Sequence, residues 1–165
     1  MVQIKFEDLP ALRKKLKNKK IVFCSGAFDL THAGHIIFFE DCKNLGDILI
    51  VSLGGDKLLK KYKGDLRPIL NENIRLKTVD SLKPIDYCFI EPLFENKNIF
   101  YGLDVTLGAL RPDIYVLNED ALNIDYRKRL CKKYNTQLVI LKRHCPKNFE
   151  RISTSKIIEK IKSLE

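Results

Sequence analysis

The sequence predicts an α/β domain, one five-stranded parallel sheet with helices on both faces, occupying residues 1–165 as a single unit. Three observations predict it. Short apolar runs at Lys20–Cys24, Ile48–Leu53, Asp86–Ile90, Ile114–Leu117 and Gln137–Leu141 alternate with segments of helical periodicity. The run Ile48-Leu49-Ile50-Val51-Ser52-Leu53 is apolar on both faces, the mark of a strand buried inside a parallel sheet. Strand, helix and strand over residues 20–53 make a βαβ unit, whose crossover is expected to be right-handed. No repeat, low-complexity tract or linker divides the chain.

In order along the chain, residues from about 7 to 18 form a short helix with Leu9, Leu12 and Leu16 on one side and Pro10 in its first turn. The first strand follows at Lys20–Cys24. A Gly-containing loop leads to a helix over His35–Leu45, with Phe38 or Phe39, Cys42 and Leu45 inward and Gly46 as its stop. After Gly54-Gly55 the chain reads as an irregular basic loop, carrying Lys57, Lys60, Lys61, Lys63 and Arg67-Pro68. Asn71 caps the next helix, which turns Ile74, Val79 and Leu82 inward and carries Arg75. A helix over Ile99–Leu110 and the turn Arg111-Pro112-Asp113 precede the fourth strand, which ends at Asn118-Glu119-Asp120. A basic helix, Asp125–Tyr134, leads to the fifth strand, and Ile152-Ser153-Thr154-Ser155 opens a last helix with Ile157, Ile158 and Ile161 inward.

Composition excludes several classes. No apolar run approaches the ~20 residues needed to cross a bilayer, and the charged amino terminus lacks the apolar core of a signal peptide. A cytoplasmic protein is the expectation. Five scattered cysteines without a CxxC pair argue for reduced, buried thiols and against a disulfide framework or a metal knuckle. The formal charge is +9, from 30 basic and 21 acidic residues. The basic cluster Arg13–Lys20 carries no interleaved aromatic residue, so nucleic acid is an unlikely partner and a solvated helix face the simpler reading.

Chemistry concentrates in Cys24-Ser25-Gly26-Ala27-Phe28-Asp29-Leu30-Thr31-His32-Ala33-Gly34-His35. His32 and His35 are three apart and share one face of a helix's first turn, and Gly34 has no side chain to obstruct a ligand. Two imidazoles, free backbone N–H groups and the positive end of a helix dipole converge there, which makes a phosphate site.

These residues resemble the signature of the HxGH nucleotidyltransferase superfamily, in its cytidylyltransferase-like family. Arg67-Pro68 with Arg75, and Ile152-Ser153-Thr154-Ser155-Lys156-Ile157 near the end, match further family words in the family's order. The resemblance implies a Rossmann-like domain that transfers a nucleoside monophosphate from an NTP to a small phosphorylated acceptor and releases pyrophosphate. It implies His32, His35, Lys63 and Arg75 as catalytic residues. Gly26, Ala27, Phe28, Asp29, Gly34, Asp120, Ile152, Ser153 and Thr154 would bind nucleotide, with Ser153 and Thr154 on the β- and γ-phosphates and Asp29 orienting the loop or the histidines. Mg²⁺ carried by the phosphates is implied as cofactor, with no dedicated protein metal site, and so is a homodimer. The words Lys63-Gly64 and Arg67-Pro68 look like the heptose adenylyltransferase branch, whereas Ile152-Ser153-Thr154 with Lys156 looks like the glycerol-3-phosphate branch. The preference is CTP with a phosphorylated alcohol or sugar phosphate. ATP with a sugar 1-phosphate is the alternative, and a catalytically silent nucleotide- or RNA-binding module a second one. At Asn118-Glu119 the chain departs from the Gly-rich segment of relatives, and the phosphate contact of its last loop falls to Arg143, Arg151 or neither.

No signature of an activated protein nucleophile is present. The implied reaction needs none, because a phosphate monoester, with its second ionisation near pH 6, is itself a nucleophile at neutral pH.

Overall fold

The computed structural model describes residues 2–164, and its sheet has six strands, all parallel. They are β1 (Val2–Gln3), β2 (Ile21–Gly26), β3 (Ile48–Gly54), β4 (Tyr87–Glu91), β5 (Ile114–Asn118) and β6 (Gln137–Leu141), in the order β1-β4-β3-β2-β5-β6. Five are the predicted ones. The sixth, β1, escaped prediction because its two exposed residues carry no apolar pattern; it only extends the edge at β4, pairing Val2 with Tyr87 and Gln3 with Cys88.

The helices are α1 (Leu9–Lys15), α2 (Ala33–Lys43), α3 (Asp56–Lys63), α4 (Glu72–Asp80), α5 (Tyr101–Leu110), α6 (Ile124–Lys133) and α7 (Thr154–Lys162). Leu9, Leu12 and Leu16 are buried as expected, with Pro10 in the first turn of α1. On that side of the sheet they join Leu103 and Leu107 of α5 and Leu130 of α6 over Phe23, Ile50, Phe89 and Tyr115. Phe89 of β4, Phe23 of β2 and Tyr115 of β5 stack in a row on this face, the first two across the intervening β3, with centroid separations of 6.4 and 5.2 Å. The other face packs Phe38, Phe39 and Cys42 of α2 and Val79 of α4 on Val22, Cys24, Leu49, Val51 and Cys88. Four of the five cysteines are buried and all are free.

Three sequence expectations need correction here. The basic stretch after Gly55 is a helix, α3, and not a loop; Leu58 and Leu59 bury its inner side, a stripe masked in the sequence by five surrounding charges. Its first turn and that of α4 cap each other, since the Asp56 N–H donates to Glu72 Oε2 at 2.7 Å and the Glu72 N–H to Asp56 Oδ2 at 3.1 Å. Ile74 and Ile161 are exposed: α4 buries only Arg75 and Val79, and α7 buries none of its side chains completely. Finally, α2 ends at Lys43, before Gly46. Gly46 is required for another reason: a Cβ there would stand 2.7 Å from Val22 Cγ2 and 2.8 Å from the Lys20 carbonyl oxygen.

From β2 the chain builds outward to β3, β4 and β1's neighbour position, then returns to β5 and β6 on the other side. The strand order therefore reverses between β2 and β5, and in an open parallel sheet ligands bind beyond the carboxyl ends of the strands at that point.

Candidate active site

A cavity of about 580 Å³ opens there, lined by the loop after β2, the ends of β4 and β5, Lys63 at the end of α3, Arg67 beyond it, and the segment before α7. The loop after β2 is tightly built. Phe28 and Leu30 have φ of 46° and 47°, left-handed values unfavourable for residues with a Cβ, so surrounding bonds must hold them. Thr31 Oγ1 donates to the Phe28 carbonyl at 3.0 Å. The Asp29 carboxylate, 1% exposed, accepts from the N–H of Ile69 (2.9 Å), the N–H of Leu70 (3.0 Å) and Arg67 Nε (3.0 Å). Burial alone would raise this carboxyl's pKa; the two backbone N–H groups and the Arg67 guanidinium together hold it below its usual value. Asp29 thus ties the histidine loop to residues 67–70. Gly26 makes room for the Phe28 ring, since a Cβ would lie 2.8 Å from it and the ring would have to shift.

His32 and His35 open α2 as a capping box built from imidazoles. The Gly34 N–H donates to His32 Nδ1 at 3.1 Å, and the His32 N–H donates to His35 Nδ1 at 3.4 Å. With each Nδ1 an acceptor, the neutral rings carry their protons on Nε2. The rings stack at 4.1 Å and both line the cavity. Burial lowers the His32 pKa, and Arg143 lowers it further. His35 falls to about 3, through burial first and then His32, Arg143 and Lys63. At neutral pH the pair is therefore two uncharged N–H donors, and neither Nε2 has a protein partner among the described residues.

The start of α7 reaches this loop from the far end of the chain. Thr154 Oγ1 donates to the Asp29 carbonyl at 2.8 Å, and a Cβ on Gly34 would stand 3.8 Å from the Ile152 carbonyl oxygen. Ser153 caps α7, accepting from the Lys156 N–H at 3.2 Å, which leaves its hydroxyl proton free. The Thr154 proton is not free, so its hydroxyl is a tie between chain segments in this structure. Gly26, Ala27, Phe28, Asp29, Gly34, Asp120, Ile152, Ser153 and Thr154 all line the one cavity. Lys63 ends α3 there, its ammonium pKa lowered by partial enclosure and then by Arg67. Asp120 pairs with Arg143 at 2.8 Å, while Glu119 accepts from the Arg143 N–H at 3.1 Å. The segment Asn118-Glu119-Asp120 thereby positions Arg143, and both Arg143 and Arg151 line the cavity.

Arg75 is the exception. It is 0% exposed and absent from the cavity wall; Nε donates to the Leu70 carbonyl (3.0 Å), one terminal nitrogen to Ala27 (2.6 Å), and the other to Gly54 and Asp56 (both 2.8 Å). The expected phosphate contact is replaced by an internal strut that joins the histidine loop, the end of β3 and the start of α3. Among the cavity residues given no role in the sequence reading are Glu91 and Arg127. Glu91 had a signal, being the residue at the carboxyl end of a parallel strand.

Paired neutral imidazoles at the switch point of a parallel sheet, ringed by Lys63, Arg67, Arg143 and Arg151, define a protein that handles nucleoside phosphates. Residues 23–160 match the cytidylyltransferase-like family, and the chain belongs to that family of nucleotidyltransferases. It is 40% identical over 159 residues to the bifunctional protein HldE of Helicobacter pylori (strain P12), covering 96% of this chain and 31% of that protein. HldE of Aliarcobacter butzleri (strain RM4018) is 44% identical over 87 residues, 52% of this chain and 18% of that one. The chain thus spans about 31% of the length of the first of these relatives. Among solved structures, the lipopolysaccharide core biosynthesis protein of Thermoplasma volcanium GSS1 superposes with a TM-score of 0.60 at 26% identity, over 77% of this chain and 98% of that one. A pantoate-beta-alanine ligase from Francisella tularensis shares the fold, with a TM-score of 0.61 at 19% identity over 98% of this chain and 77% of that one.

Proposed function

We propose that the domain transfers AMP from ATP to a sugar 1-phosphate and releases pyrophosphate. The observation that carries nucleotidyl transfer is the pair of imidazoles whose Nδ1 atoms are committed to capping and whose Nε2–H groups are left for a ligand. The resemblance of Lys63-Gly64 and Arg67-Pro68 to the heptose branch, and the bifunctional HldE relatives, favour ATP and a sugar phosphate over the CTP preference read from the last helix.

An oxygen of the acceptor's phosphate attacks the α-phosphorus, the bond from that phosphorus to the bridging oxygen breaks, and pyrophosphate leaves with the electron pair. No side chain needs to take a proton, since the acceptor is largely dianionic at pH 7. His32 and His35 donate from Nε2 to the α-phosphoryl and bridging oxygens, where charge builds up. Their neutrality suits this, because an uncharged donor stabilises the developing charge without trapping the product anion. Lys63, Arg67 and Arg143 offset the repulsion between two phosphates, and Ser153 with the first N–H groups of α7 holds the β- and γ-groups. Among the described residues no three metal-ligating side chains cluster, and both Asp29 oxygens are already occupied. A Mg²⁺ ion would therefore ride on the triphosphate and supply charge neutralisation there.

The reading includes a homodimer in the cytoplasm; among the described residues no helix is long and apolar enough to cross a membrane. Pyrophosphate release across four NTPs and a panel of phosphorylated acceptors tests the reaction. Turnover with ATP and a sugar 1-phosphate is expected, reduced ~10²-fold or more by His32→Ala or His35→Ala. Turnover confined to CTP would restore the first preference, and a folded double-alanine variant with full activity would refute the histidine roles.

A further inference from the structure

Glu91 and Arg127 are among the charged side chains of the cavity that are idle in the reaction just described. Along the sheet face covered by α5 and α6, side chains alternate with period two. Phe23, Ile50 and Phe89 form a buried row, and the next positions on that face are Ser25, Ser52 and Glu91. A core that simply continued would be apolar there. Glu91 is 6% exposed, yet no cation lies within ion-pair distance among the described residues. Its Oε2 accepts from the Ser52 hydroxyl at 3.3 Å, and Oε1 has no partner. The first turn of α5 makes room for that oxygen: a Cβ on Gly102 would stand 2.5 Å from it.

Arg127 lines the same cavity and is braced by neighbouring groups. Its Nε donates to the Leu122 carbonyl at 3.0 Å and one terminal nitrogen to the Tyr115 hydroxyl, which is joined to Ser25 Oγ at 2.8 Å. The guanidinium carbon lies 5.3 Å from the Phe100 ring centroid and 5.9 Å from that of Tyr115. Among the described residues it pairs with no carboxylate, and its second terminal nitrogen is unspent. Burial pushes the Glu91 carboxyl up to about 7, with Ser52 and Arg127 acting against it.

A buried carboxyl group and a guanidinium that line one cavity without closing on each other are completed by hydroxyl groups. The carboxyl accepts from hydroxyl protons and the guanidinium donates to hydroxyl oxygens. An ammonium group would be repelled by Arg127, and a bare phosphate by Glu91. Position fits as well: Gly54 registers with Glu91 and Leu53 with Gly26, so Glu91 sits two strand spacings, roughly 10 Å, from the end of β2 and the histidine loop. That leaves room for the body of an acceptor whose phosphate is at the histidines.

We propose that Glu91 and Arg127 form the subsite that reads acceptor hydroxyls, so that the acceptor is a sugar phosphate with neighbouring hydroxyl groups and not an amino-alcohol phosphate. This rests on the nucleotidyl-transfer reading above. The test is calorimetry of a heptose 1-phosphate, its monodeoxy analogues and phosphoethanolamine, at saturating non-hydrolysable ATP analogue, run beside turnover. Glu91→Gln keeps the shape, and Gly102→Ala displaces the carboxyl without removing it. Both are expected to weaken heptose 1-phosphate by ~10-fold or more, the loss typical of a hydrogen bond to a charged group, with affinity for the ATP analogue unchanged. Wild type should reject at least one monodeoxy analogue that Glu91→Gln no longer distinguishes. Unaltered sugar-phosphate binding by both variants, or a wild-type preference for phosphoethanolamine, overturns the subsite. Absence of turnover with every acceptor would overturn the reaction, while the calorimetric comparison still decides the subsite.

Discussion

Replacing Arg75 by methionine separates two roles that the same sequence position allows. The guanidinium makes four hydrogen bonds, at 2.6 to 3.0 Å, to the carbonyls of Leu70, Ala27 and Gly54 and to Asp56. Methionine fills most of the volume and leaves three carbonyls and one carboxylate without their donor. Hydrogen bonds to charged groups are worth about 1.5–3 kcal/mol each, but Asp56 is partly exposed and regains water, so a total of about 3–5 kcal/mol is expected. Against the 5–15 kcal/mol typical of a domain this is a large share. In urea denaturation followed by circular dichroism, the midpoint should fall by about 1.5–2.5 M with an unchanged slope, taking a slope of about 2 kcal/mol/M. Arg75→Lys restores the charge but reaches fewer of the four acceptors, and should fall between. A phosphate ligand would behave oppositely, keeping the midpoint while raising the KM for NTP. That outcome would refute the strut.

Three other perturbations address the histidine loop. Because the folded-state pKa of His35 is depressed to about 3 while the unfolded ring titrates near 6.5, the unfolded chain binds the extra proton between those values. Stability should thus be complete above pH 6.5 and fall with decreasing pH, by at most about 2 kcal/mol at pH 5; His35→Gln should flatten this decline in urea midpoints, and an unchanged slope would count against a buried neutral ring. Gly34→Ala places a methyl 3.0 Å from His32 Cε1, so kcat should drop although the helical propensity of alanine adds up to about 1 kcal/mol of stability; equal loss of both would show a folding defect instead. Thr154→Val cuts the bond to the Asp29 carbonyl, costs about 1 kcal/mol, and should speed amide exchange at the start of α7; unchanged exchange would mean that α7 is held elsewhere.

Strand identity was legible because β2 to β6 are apolar runs bounded by turn residues, and the histidine loop because its residues are contiguous. The terminal Ser-Thr turn could be placed beside that loop only through the family resemblance, since the bond from Thr154 to Asp29 spans 125 positions and leaves no local pattern. Arg75 was misassigned for a physical reason. A helical arginine reads the same whether its fork meets phosphate or carbonyls, and the acceptors here are backbone atoms of Ala27, Gly54 and Leu70, which sequence does not display. Glu91 and Arg127 stayed hidden because they belong to different strands and helices, and only the sheet order β4-β3-β2-β5 brings them to one cavity.

The two ring nitrogens explain why the imidazoles can be both cap and donor. A serine at the start of α2 would satisfy the Gly34 N–H equally well, but its remaining proton would sit on the same atom as the cap, and an aspartate would have no proton to donate. An imidazole caps with Nδ1 and keeps a second polar atom, Nε2, on the opposite side of the ring. Burial then forbids the proton that would convert Nδ1 from acceptor to donor and break the cap. Helix capping, tautomer and charge state are consequently one linked property: acidification strong enough to protonate His35 must also undo the first turn of α2, so loss of activity and loss of the cap should occur together as pH falls.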